Sequence, residues 1–149
     1  MIMKKLALFL LLVLPLVFTA CTDDDNSESE TIIGTWKSTG ALPKEVDISG
    51  NAGLKMRIGN DLIETSGDGS SITFYESGQV TFSNGETGTY NINGEILTIS
   101  YAGGDSVSSE FDIDGHVLTI YDDMTEEYTT TYPNETINKI IVARLYGKK

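Results

Sequence analysis

From Ile72 to the C-terminus, apolar and polar residues alternate with a period of two, and glycine turns break the alternation at short intervals. Ile72-Thr73-Phe74, Val80-Thr81-Phe82, Tyr90-Asn91-Ile92, Leu97-Thr98-Ile99, Phe111-Asp112-Ile113 and Leu118-Thr119-Ile120 all follow the pattern. A period of two places the apolar members of each stretch on one face of a β-strand. Between the stretches lie Ser77-Gly78, Asn84-Gly85, Asn93-Gly94, Gly103-Gly104 and Asp114-Gly115. Such dipeptides accept the positive φ of a tight hairpin turn. The pattern predicts strands at 72–75, 80–82, 88–92, 96–101, 107–113, 117–121, 127–132 and 137–146, each antiparallel to the next.

Two of these hairpins use nearly the same text. YNINGEILTISY at 90–101 and FDIDGHVLTIYD at 111–122 match in kind at most positions. Each carries an aromatic and an Ile on the incoming strand and a Leu-Thr-Ile on the outgoing one. Asn93-Gly94 and Asp114-Gly115 are expected to form the centres of type I′ turns. Two copies are too few for a solenoid or a propeller. The repeat is therefore read as two neighbouring hairpins of a meander, a statement about architecture and not about a reaction.

Upstream of Ile72 the pattern is less regular. TIIGTWKS at 31–38 predicts a first strand, and 40–53, with Pro43 and its glycines, reads as a loop. LKMRI at 54–58 alternates cleanly, which predicts a half-buried strand with Leu54, Met56 and Ile58 inside and Lys55 and Arg57 outside. Leu62-Ile63 adds a short strand and GDGSS at 67–71 a turn. The fold class expected is all-β: an antiparallel up-and-down meander of about eight to ten strands, which removes its exposed edges by closing into a barrel. The expected inward, ligand-lining set is Phe74, Phe82, Tyr90, Ile92, Leu97, Ile99, Phe111, Ile113, Leu118 and Ile120, with Ile72, Val80 and Tyr101 on the same stripes.

The N-terminus follows different rules. Lys4 and Lys5 precede thirteen residues, Leu6 to Phe18, that are apolar apart from Pro15. That is short of the roughly 20 residues a helix needs to cross a bilayer, and it suits the core of a signal peptide. Thr19-Ala20-Cys21 then resembles a bacterial lipobox, in which the Cys receives lipid on its thiol. Cys21 is the chain's single cysteine, so no intrachain disulfide can form. TDDDNSESE at 22–30 holds no apolar residue and predicts a solvated tether. An acidic run directly behind a lipidated Cys resembles the signal by which some Gram-negative lineages display lipoproteins on the outer leaflet. The expected organisation is a cleaved lipoprotein signal peptide at 1–20, a lipidated acidic tether at 21–30 and a barrel domain at 31–149. The expected location is the outer membrane, lipid-anchored and facing the exterior.

Charge narrows the partners. The chain has 22 acidic and 10 basic residues, a formal charge of −12, which becomes −14 once Lys4 and Lys5 leave with the signal. Such a surface repels nucleic acid and bare anionic headgroups. It holds the domain off a membrane to which acyl chains would tie it.

Gly34-Thr35-Trp36 on the first strand and Arg144 on the last resemble the lipocalin superfamily. ITFYESGQVTF, GTYNINGEILTI and the closing VARLY are similar to the lipocalin-like domains of bacterial surface lipoproteins. The resemblance covers roughly residues 31–147. It implies barrel closure by Gly34, Trp36 and Arg144, with the guanidinium lying against the indole ring as a cation–π pair.

Reactive chemistry is sparse. His116 is the only histidine and follows the Asp114-Gly115 turn, where an exposed position is expected. With Cys21 lipidated, a zinc site built on His or thiolate has too few ligands. No nucleophile, base and orienting group recur together. No catalytic residue, metal or cofactor is expected. Asp122, Asp123, Glu126 and Glu127 bracket one turn and read as a solvated acidic turn ahead of a calcium loop. Asp105-Ser106-Val107 resembles a bacterial O-glycosylation acceptor, with Ser106 the modified residue.

The leading expectation is a membrane-anchored, non-enzymatic binding protein for a small apolar or amphipathic ligand. The alternative is a filled-core surface module that binds protein or glycan through its loops. Lipidation has a direct test: cells fed a clickable fatty acid should label the wild-type chain, and the Cys21→Ser variant should carry no label.

Overall fold

The structure, a computed structural model, describes residues 31–149. The signal peptide, Cys21 and the tether expected at 1–30 lie outside the described residues. In chain order the elements are β1 Gly34–Ser49, α1 Ala52–Asp61, β2 Ser71–Phe74, β3 Gln79–Phe82, β4 Thr87–Asn93, β5 Ile96–Tyr101, β6 Ser106–Asp114, β7 Val117–Asp123, α2 Thr125–Thr131 and β8 Thr136–Lys148. Each strand pairs antiparallel with the next, and β1 pairs with β8, so the meander is a closed barrel of eight strands.

The repeated text forms equivalent hairpins. Tyr90 faces Ile99 and Ile92 faces Leu97 in β4–β5, as Phe111 faces Ile120 and Ile113 faces Leu118 in β6–β7. The turns differ from expectation by one residue. Asn93 pairs with Ile96 and Asp114 with Val117, so Gly94-Glu95 and Gly115-His116 occupy the turn centres. Only the glycines have positive φ, +61° at Gly94 and +56° at Gly115. A positive φ at the first central residue alone is the type II′ pattern, not type I′.

The region around residues 40–64 also departs from expectation. β1 does not stop at Ser38. It runs on to Ser49 through register shifts at Ser38/Gly40, Pro43/Glu45 and Asp47/Ile48. Pro43, which cannot donate to a ladder, falls at one of these irregularities, where proline is tolerated. The stretch 54–58 is not a strand but the middle of α1. The Asn51 side chain accepts from the Leu54 amide at 2.9 Å, capping the helix start. Leu54, Ile58 and Leu62 recur every fourth residue on the buried face, and Met56 points outward, 68% exposed. The short apolar run permitted both periods, and the cap together with Leu62 selects the helix. Leu62-Ile63 forms no strand; Glu64 alone makes a bridge to Ala41.

The stretch 127–132, expected as a strand, instead falls mostly within α2. Asp123 accepts from the Thr125 amide, and Thr129, Thr130 and Thr131 donate back to carbonyls four residues earlier. Tyr128 and Tyr132 share a face, their rings stacked at 6.3 Å.

Two apolar clusters result. One fills the barrel, with Trp36, Phe74, Val80, Leu97 and Leu118 at its centre. The other lies beyond the rim, where α1 and α2 cover Ala41, Ile48, Ile140 and Val142 on the extended β1–β8 ribbon. Ile58→Ala should therefore destabilise the domain by about 2–4 kcal/mol through the cavity it leaves. Met56→Ala should change stability by less than about 0.5 kcal/mol. Urea midpoints check this, and equal losses at both positions would restore the strand reading.

Candidate functional site

The barrel has one closed end. Trp36 plugs it with no exposed surface, and its Nε1 donates to the Ile32 carbonyl at 2.7 Å. Lys148 is the register partner of Trp36, and its Nζ lies 5.5 Å from the ring centroid. Gly34 holds φ at +128°, a conformation that side chains rarely adopt, and the Lys148 stem passes beside it. The cation over the tryptophan is thus Lys148, not Arg144. Arg144 pairs with Ala41, four residues back along β8, which is roughly 13 Å at 3.3 Å per residue. The expected closure by Gly34, Trp36 and Arg144 is corrected in its cation.

Arg144 belongs to the other end. On β8 it falls between Val142, in the helix-covered cluster, and Tyr146, in the barrel cluster. On β7, Asp122 continues the inward stripe of Leu118 and Ile120. The Arg144 Nε donates to Asp122 Oδ2, and both side chains are about a third exposed. Together they stand over a cavity of about 170 Å³. Its apolar floor is Ile72, Leu97, Ile99 and Ile120; Phe82 and Tyr101, stacked at 5.6 Å, form one wall. Val107, Ser109, Asp122, Arg144 and Tyr146 complete it.

The electrostatics are uneven. Burial works against the Arg144 charge, but the bond to Asp122 and its negative charge more than offset that, and the guanidinium pKa stands above its ordinary value. Burial also pushes the Tyr146 phenol up; Arg144 opposes this, while Asp122, Asp68 and Tyr101 add to it. Tyr101 is raised first by burial and then by Glu86 and Asp122. A wider depression of about 660 Å³, around the β3–β4 and β5–β6 turns, shares Tyr101 and Val107 with the cavity and adds Glu86 and Asp105. Another, of about 450 Å³, lies among Gln79, Thr81, Thr87, Thr89 and Ser100; it offers neutral polar groups but no charged one. The smaller cavity is the site because, of these three, it alone sets an arginine–carboxylate pair over side chains of the barrel core, Leu97, Ile99 and Ile120.

Of the lining residues expected from sequence, Phe82, Leu97, Ile99 and Ile120 border the cavity. Phe74 and Leu118 are buried in the packed core. Tyr90, Phe111 and Ile113 pack half-buried against that core, Tyr90 edge-on to Phe74 at 5.0 Å. Ile92, near the end of β4, is 39% exposed. Sequence reasoning missed Asp122, Ser109 and Tyr146. The signal was available: each lies two residues from an inward-facing position on its strand.

The acidic turn divides. Asp122 turns to Arg144, and Asp123 to Thr125 and to Lys139 at 3.3 Å. Among the described residues no three His, Cys, Asp or Glu side chains gather as a metal site. His116 sits exposed in its turn.

The chain matches the lipocalin-like domain family over residues 32–120, more than half its length, and belongs to that family. No curated protein and no solved structure matches it. Asp122, Arg144 and Tyr146 fall beyond the matched stretch, so their arrangement is known from this structure alone.

The raised Tyr146 pKa predicts an alkaline weakness. The unfolded phenol loses its proton near its ordinary value of 10.0, while the folded one keeps it to higher pH. The contribution is complete below that value and is lost as pH rises through the folded one. Melting temperature should therefore fall less between about pH 9.5 and 11 in Tyr146→Phe than in the wild type.

Proposed function

We propose that this chain is a lipid-anchored, cell-surface protein that binds one small amphipathic molecule in its barrel and performs no catalysis. The observation that carries the binding reading is the cavity: an apolar floor lies beneath an arginine and a carboxylate held at the mouth. Such a pairing of apolar lining with a few oriented polar groups is how small-molecule sites are built. Lipocalin-like proteins are, as a class, binding proteins. The volume limits the ligand. A dry cavity of about 150 Å³ accommodates benzene, so about 170 Å³ suits a single ring or a short branched chain. A long acyl chain would have to leave the cavity for the wider depression around the turns.

The anchoring part rests on the apolar run ending in Thr19-Ala20-Cys21, and the outward-facing part on the acidic residues behind it.

Titration of residues 21–149 carrying Cys21→Ser with benzyl alcohol tests the reading. Saturable one-to-one shifts of the Ile99, Ile120 and Arg144 amide resonances are expected. Leu97→Trp should abolish them while the protein stays folded. Unperturbed resonances at millimolar probe would instead favour a filled core that works through its loops.

A further inference from the structure

The polar half of the site is already self-neutralised. A guanidinium carries five N–H donors, and the hydrogen bond that Arg144 makes uses Nε alone, toward Asp122. The two Nη groups remain to receive an acceptor from a ligand. The charge, however, has its partner. Around the same mouth stand Asp122 in the cavity, Glu64 near enough to Arg144 to favour its charge, and Glu86 and Asp105 in the adjoining depression, four carboxylates to one guanidinium.

Building on the binding reading above, we propose that Asp122 makes the site select by charge, admitting an uncharged ring with a hydrogen-bond-accepting head and rejecting the matching carboxylate. An amide or alcohol oxygen can accept from the Arg144 Nη groups while Asp122 keeps Nε. A carboxylate in the same place would sit beside Asp122 at close range in a half-buried site, where like charges repel strongly. It would also approach past Glu86 and Asp105, on a chain whose net charge is −12. A cationic head is not disfavoured by the same field, so the selection is one between a neutral and an anionic head. Ring and head together match the space: the ring fills the floor between Leu97, Ile99 and Ile120, and the head reaches Arg144.

Benzamide and benzoate share one planar shape and differ in charge. Isothermal titration of residues 21–149 with Cys21→Ser at pH 7 should rank benzamide above benzoate by about tenfold. In Asp122→Asn, which keeps an acceptor oxygen for Arg144, the benzoate-to-benzamide affinity ratio should rise at least about tenfold. Asp112→Asn, on the exposed side of β6, should leave that ratio as it is. Raising salt should also lift benzoate relative to benzamide in the wild type, which reads the same selectivity without any substitution. Benzoate binding as tightly as benzamide, or a ratio unmoved by both Asp122→Asn and salt, would overturn the inference. Failure of both probes to bind a folded protein would overturn the binding reading itself, a separate outcome from a wrong charge order.

Discussion

The first and last strands pair at twelve positions, from Trp36 with Lys148 to Ser49 with Thr136. Both halves of the molecule depend on that ladder. Its lower part closes the barrel and removes the two edges that a linear meander would expose. Its upper part runs on past the rim, because β1 has 16 residues and β8 has 13, while β2 and β3 have only four each. A two-stranded ribbon is barely stable alone in water. Its apolar face, with Ile48, Ile140 and Val142, needs a cover, and α1 and α2 supply it. The helices are thus a consequence of strands that outrun their barrel. Because these strands are the most distant in sequence, closure comes with a high contact order.

The same ladder fixes which cation serves which purpose. Inward positions on β8 recur at 140, 142, 144, 146 and 148. The pairing to β1 sets Lys148 over Trp36 at the sealed end and leaves Arg144 at the mouth. An eight-stranded barrel has an interior just wide enough for side chains to fill. Near the sealed end large residues do so: Trp36, Phe74 and Leu118 have almost no exposed surface. Toward the mouth the inward stripes present Ser109 and Asp122 in place of large apolar groups, and the cavity opens there.

Much of this was legible in the residues. Period two and glycine spacing located the strands from β2 to β7, and the repeated text marked two neighbouring hairpins, but their cross-strand partners were not legible, because the turns sit one residue further on. The turn type escaped because Asn-Gly suggests a centre, whereas pairing of Asn93 with Ile96 puts the glycine first. The helices escaped for different reasons. Residues 54–58 satisfy both periods, and the deciding residues, Asn51 and Leu62, lie just outside that run. Residues 125–131 are poor helix formers, held by threonine hydroxyls and by Tyr128 and Tyr132 packing beneath α1. Pro43 and the glycines of 40–53 read as loop because a bulged strand and a loop look alike in composition. Arg144 was given Trp36 as its partner where the structure gives it Asp122, since motif position does not reveal register.

The position of Arg144 between two apolar clusters bears on how the site works. A partly buried cation needs an acceptor, and Asp122 supplies one from the neighbouring strand. A ligand head therefore does not meet a bare charge. In the proposed site it joins a hydrogen-bonded pair, using donors the pair leaves over, and the gain is that of a hydrogen bond from a charged donor and not of a new ion pair. Three residues beyond Asp122, Thr125 opens α2 and bonds the Ile140 amide. The carboxylate is held by Arg144 across the ladder, and the start of α2 is fixed against β8 just beyond it. The bond to Asp122 keeps the guanidinium aimed and its remaining donors in place, which is the preorganisation that the proposed selectivity requires.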